Sequence, residues 1–197
     1  MGVVILLLSI ALTAASSGKK APTGIVNQLP SGYEVIASAR VEPEQARRQF
    51  VIVALARRNE DQLRQSVNGA PARPLLIFEQ KGGRFILVGR NDSIVMPADH
   101  GGQCDPFLDG DAKIATKGPY FTVENGVACG QHWTDYITFR LDDRTEGFIF
   151  DNERQEDWEL NPNNNPDAEA LVRVGPQRVT RDRAGHVTTF ANWAPKR

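Results

Sequence analysis

The chain has no cluster of positive charge, no long uninterrupted apolar stretch, only two cysteines and only three histidines in 197 residues. Its 23 Lys and Arg are interspersed with 24 Asp and Glu, for a net charge of −1. A nucleic-acid partner is excluded on that ground, because phosphate binding needs concentrated positive charge. The longest apolar run, Val3 to Leu12 with Ser9 inside it, is too short for a mature membrane-spanning helix, so no membrane span is expected. Equally absent are a Gly-x-Ser-x-Gly elbow, a His-Glu-x-x-His helix, a phosphate-binding glycine loop and a dinucleotide fingerprint. No cofactor is therefore called for. No repeat of 20 to 50 residues is visible either, which removes solenoids and propellers.

Val3 to Leu12 leads into Thr13-Ala14-Ala15-Ser16-Ser17-Gly18 before the first charges at Lys19-Lys20. An apolar core followed by small residues reads as a signal peptide over residues 1–17, cut after about Ala15 to Ser17. The basic residues that usually precede such a core are missing before Val3. No cysteine stands near the cleavage region, which excludes a lipid-anchored cysteine. The expected location is periplasmic or secreted.

A flexible lead-in over residues 18–32 is expected from its prolines and glycines. The main domain, 33–160, reads as mostly β: an antiparallel meander of hairpins with little helix. Tyr33, Val35, Ala37, Ala39 and Val41 alternate with polar positions, the period of a half-buried strand, although Ile36 breaks the polar face. Phe50 to Ala56 is continuously apolar and rich in β-branched residues, as in a central strand. Arg57 to Asn68 is a surface excursion with one helical turn. Pro74 to Phe78 and Phe85 to Val88 flank Lys81-Gly82-Gly83-Arg84, a hairpin whose glycines tolerate positive φ. A separate short strand Ile94-Val95-Met96 follows, then a long loop from Pro97 to Gly110, and strands at 113–116 and 120–123. Trp133, Ile137, Phe139 and Leu141 share one face of a further strand, and Phe148-Ile149-Phe150 returns after a turn at 142–147. Residues 161–197 are expected to form an Asn- and Pro-rich loop and a C-terminal hairpin, Arg178 to Arg181 against His186 to Phe190, packed on the domain.

Cys104 and Cys129 each sit in a glycine-bearing loop that also carries a histidine. His100-x-x-x-Cys104 and Cys129-x-x-His132 supply the ligand types of a tetrahedral zinc site. In an oxidising compartment a lone pair of cysteines favours a disulfide, which is the preferred reading, with no metal. Such a bridge draws His100, Gln103, Asp105, Gln131, His132 and Trp133 together at one end of the sheet. These six are the candidate binding residues. A histidine titrates near neutrality and a carboxylate can orient it, so His100, Asp105 and His132 also suit general acid and base chemistry. Asp142-Asp143 and Glu156-Asp157 read as solvated turn carboxylates. Arg90-Asn91-Asp92 reads as a cap for the following turn. Trp158 and Trp193 are each either an edge plug of the core or an exposed contact.

The block Arg73-Pro74-Leu75-Leu76-Ile77, Arg90-Asn91-Asp92, the Gly-Gly loop, Tyr120-Phe121-Thr122-Val123 and Tyr136-Ile137-Thr138-Phe139-Arg140 resembles a group of exported bacterial proteins related to single FG-GAP or VCBS-type β units. The resemblance covers roughly Leu29 to Asp151 and implies export and a β fold. In that group an acidic calcium loop commonly precedes the long apolar strand. The matching stretch here, Val41 to Gln49, lacks the Asp and Gly residues that would ligate the ion and carries Arg47 and Arg48.

The function expected from these readings is an exported, non-enzymatic binding protein of the bacterial envelope with a protein partner, such as an inhibitor or immunity-type protein capping an extracytoplasmic enzyme. One alternative is a small hydrolase using His100, Asp105 and His132, with or without zinc. Another is an envelope protein that binds carbohydrate through Trp133 and Tyr136.

Overall fold

The computed structural model describes residues 18, 20–43, 48–64, 69–109, 113–129, 132–163 and 165–195. The expected signal peptide, 1–17, and Gln131 lie outside them. Two antiparallel sheets stack face to face, each a meander in which every strand pairs with its neighbour in sequence. The first sheet holds β1 (Tyr33–Val41), β2 (Gln49–Arg57), β3 (Arg73–Lys81) and β4 (Arg84–Val95). The second holds β5 (Ile114–Lys117), β6 (Tyr120–Val127), β7 (His132–Asp142), β8 (Gly147–Leu160) and β9 (Leu171–Thr180). Two short helices, α1 (Thr23–Val26) and α2 (Glu60–Arg64), complete the expected mostly-β composition. No helix among the described residues is long and apolar enough to cross a membrane.

The continuous apolar run of β2 has a simple cause: both faces of the first sheet are covered. Phe50, Ile52, Ala54 and Ala56 face the second sheet, while Val51, Val53 and Leu55 join Leu76, Phe78 and Ile25 in a separate cluster on the outside. Ile25 belongs to α1, so the segment read as a flexible lead-in instead lies over the sheet as its cover. The β3–β4 hairpin turns at Gly82 and Gly83, whose φ of 58° and 76° would strain any other residue.

Period-two readings fail where bulges intervene. The pairing of β1 with β2 skips at Ile36, so Tyr33 and Val35 pack with the outer cluster while Ala37, Ala39 and Val41 face inward. The bulge turns the apparent mismatch at Ile36 into a core position. Ile94 and Val95 are not a separate strand but the end of β4, which continues through Arg90 to Ser93 past register shifts against β3. Glu156 and Asp157 stand on β8, not on a turn, because β8 runs on for fourteen residues. Residues 171–174 open β9, an edge strand that accommodates Pro176 beside a bulge at Gly175.

The C-terminal hairpin does not form. Residues 178–180 pair with β8, and the chain then turns at 182–185, with the Asp182 carboxylate accepting from Thr188 N and Oγ1 at 2.7 and 2.8 Å. From there it returns to the sandwich, where Thr189 bridges Ile149 and Phe190 and Trp193 enter the core. Asn91, expected to cap a turn, accepts from Ser93 N and also donates to the carbonyls of Phe190 and Trp193 at 2.7 and 2.9 Å. The inserted rings meet Phe139 and Phe150 at centroid distances of 5.3 to 6.3 Å, mostly edge to face, the arrangement aromatic quadrupoles prefer. Trp193 is therefore the edge plug.

Candidate functional site

The loop after β4 is built inward from buried anchors. Ala98, Asp105 and Phe107 are buried, whereas His100 and Gln103 are exposed. Arg73, wholly buried at the start of β3, explains the anchoring. Its Nη1 and Nη2 donate to the two oxygens of Asp105 at 2.7 and 2.5 Å, and its Nε and Nη2 donate to Glu60 at 2.8 and 2.6 Å. Asp105 Oδ1 also accepts from the amides of Phe107 and Leu108, and Asp109 accepts from Asp105 N. Burial opposes both charges, but the hydrogen bonds prevail: Arg73 is held protonated and the Asp105 carboxyl lies below its usual range. A planar guanidinium satisfied on both edges suits a buried position as a lysine would not.

Cys104 and Cys129 form a disulfide with Cα atoms 6.1 Å apart, closing a separation of 25 residues. A pair so bonded is compatible with an extracytoplasmic location. It also leaves no thiolate for the alternative zinc set at His100, Cys104, Cys129 and His132. Beside it, Gly101 pairs with Cys104, and a Cβ at Gly101 would stand 2.4 Å from the Cys104 carbonyl oxygen. The tip is held from a second side by Arg64, whose Nη2 donates to the carbonyls of Gly102 and Gln103 at 3.1 and 3.4 Å.

The six candidate residues therefore divide. His100 and Gln103 are presented to solvent, Asp105 is consumed within the fold, and His132 and Trp133 begin β7, half-buried. His132 Nδ1 is enclosed without a hydrogen-bond partner among the described residues. Arg48, in the stretch matching the calcium loop, bonds Glu79 at 2.7 Å and the Glu146 carbonyl. Residues 44–47 of that stretch lie outside the described residues.

Two features escaped sequence reasoning. His132 pairs directly across from Trp158, and together with Trp133, Thr134, Glu169 and Leu171 they line a cleft of about 360 Å³ at the end of the second sheet. Glu169 and Ala170 of that lining follow the asparagine-rich loop, where Asn161, Asn163 and Asn165 each accept from the amide two residues on and Asn161 Nδ2 donates to the Glu169 carbonyl at 2.8 Å. The second is Asp135, only 3% exposed, with Oδ1 unpartnered among the described residues. Burial, with a smaller contribution from Glu153, pushes its carboxyl up to about 7. The signal was present: Asp135 shares the inward parity of Trp133 and Ile137. The same parity puts Trp133 and Tyr136 on opposite faces of β7, so they cannot form one surface.

No family model matches the chain, and neither the curated proteins nor the solved structures contain a significant match.

Proposed function

We propose that the chain is an exported, non-enzymatic binding protein of the cell envelope that recognises a protein partner through the tip of the loop after β4, His100 to Gln103. The observation that supports this reading is the anchoring of that loop. The Arg73 fork, buried Phe107, the disulfide and Arg64 hold its base and tip while His100 and Gln103 remain exposed. A loop already fixed in one shape loses little conformational entropy on docking, which favours tight recognition by a small contact. An inhibitor that caps an extracytoplasmic enzyme is the partner class such a loop suits. The competing hydrolase requires Asp105 to orient a histidine, and both Asp105 oxygens are already engaged by Arg73.

The test is isolation of the protein with its envelope partner as a 1:1 complex, followed by the double substitution His100→Ala, Gln103→Ala. Loss of the complex with unchanged thermal stability supports the reading. A hydrolytic activity that disappears with His132→Ala would replace it.

A further inference from the structure

The cleft at the end of the second sheet is chemically unlike the loop tip. Its lining combines two indoles and Leu171 with the Thr134 hydroxyl, the His132 imidazole and the Glu169 carboxylate. No lysine or arginine is among the described residues that line it. Arg173, directly across from Trp158 on β9, lies 3.9 Å from Glu156. A carboxylate in the wall without a cation disfavours phosphate-bearing and other anionic ligands. What fits is a neutral molecule with one flat apolar face for the indole and a rim of donors and acceptors for the polar groups.

Outward parity continues this chemistry along the sheet. Four residues from His132, or roughly 13 Å along the strand, stands Tyr136, with the Arg154 guanidinium over its ring at 4.8 Å. Burial, then Glu124 and Glu156, raise the Tyr136 hydroxyl above its usual value, so it remains a neutral donor. Thr122 and Thr138 follow, with their hydroxyls 2.9 Å apart. The outward face thus carries Trp158, Glu156 beside Arg173, Arg154 over the Tyr136 ring, and the threonine hydroxyls. A strip of matched charges and hydroxyls longer than one sugar ring suits a neutral polymer of such rings better than a point cation. A quaternary ammonium would require aromatic faces around it, and Trp133 and Trp158 have opposite parity on their strands.

The geometry points to a subsite for a neutral polysaccharide, with a pyranose ring stacked at Trp158 in the cleft and the chain running along the outer face of the second sheet towards Tyr136. It goes beyond the loop-mediated protein recognition, and the two fail separately.

The experiment titrates the full chain with soluble hexasaccharides of neutral α- and β-linked glucose, mannose and N-acetylglucosamine, read by calorimetry. At least one is expected to bind. Trp158→Ala weakens it on the order of tenfold or more, as for an aromatic anchor, and Trp158→Phe recovers part of the loss. Tyr136→Ala weakens the hexasaccharide more than a disaccharide of the same linkage. His100→Ala, Gln103→Ala leaves glycan binding unchanged, which separates this site from the loop tip. The proposal is overturned if no hexasaccharide binds, if Trp158→Ala with unaltered thermal unfolding binds as tightly as the parent, or if tetramethylammonium alone occupies the cleft.

Discussion

Replacing Asp135 by Asn should remove most of the pH dependence of stability in the neutral range. The Asp135 carboxyl ordinarily ionises near 3.8 and in the fold is pushed up to about 7, first by burial and then by Glu153. The native state therefore holds this proton more tightly than the unfolded chain. The resulting stability is fully present below about pH 4 and is lost as the pH rises through about 7. About three units at 1.36 kcal/mol each make roughly 4 kcal/mol between pH values below 4 and pH 8, of which roughly 3 kcal/mol is lost above pH 4.5, a large share of a domain's stability. Asn keeps the shape and cannot ionise, so the variant should lose most of this slope and exceed the parent at pH 8. Its gain is reduced by about 1 to 3 kcal/mol if the new amide hydrogens find no acceptor. Urea unfolding of the oxidised protein at half-unit steps from pH 4.5 to 8, with constant m, reads this directly. A parent that grows more stable between pH 5 and 8, or a variant with the parent's slope, would refute the assignment. Asp105, Glu79 and Asp142 lie below their usual range and act oppositely, losing their contribution only as the pH falls through the acid range. Stability should consequently be greatest in mild acid.

Other perturbations probe the anchoring of the loop and core. Arg73→Met leaves Glu60 and Asp105 buried without their partner and should cost about 3 to 5 kcal/mol by denaturant unfolding. A loss under 1 kcal/mol would mean that the fork is not a buried unit. Cys104→Ala, Cys129→Ala should cost about 3 to 4 kcal/mol from loop closure alone. Intact mass under non-reducing conditions should show the parent two hydrogens light and inert to alkylation; two alkylatable thiols would reject the bridge. Trp193→Ala removes the plug against Phe139 and Phe150 and should cost about 3 to 5 kcal/mol, with the tail becoming sensitive to protease. An unchanged unfolding midpoint would show that the tail is not part of the core.

Much of the sandwich is legible in the chain because period two and glycine turns are local properties. The β2 run, the hairpin at Gly82-Gly83 and the β7 parity all follow from neighbours in sequence. What is not legible depends on distant partners. Ile36 reads as an error until β2 is placed beside it, and residues 178–190 read as a hairpin until β8 offers a longer edge. Among the site residues, the pairing of Cys104 with Cys129 follows from arithmetic, whereas the burial of Asp105 depends on Arg73, thirty-two residues away. The cleft required the register between His132 and Trp158, which spacing does not give.

We propose the anchored loop tip, His100 to Gln103, as a recognition surface. The most direct measurement is the molar mass by light scattering of the protein eluted from size exclusion after purification from the envelope fraction, for the parent and for His100→Ala, Gln103→Ala. The parent should elute as a 1:1 complex and the variant as the free chain, with equal melting temperatures. A parent that elutes alone from the envelope fraction, or a complex that survives the double substitution, would contradict it.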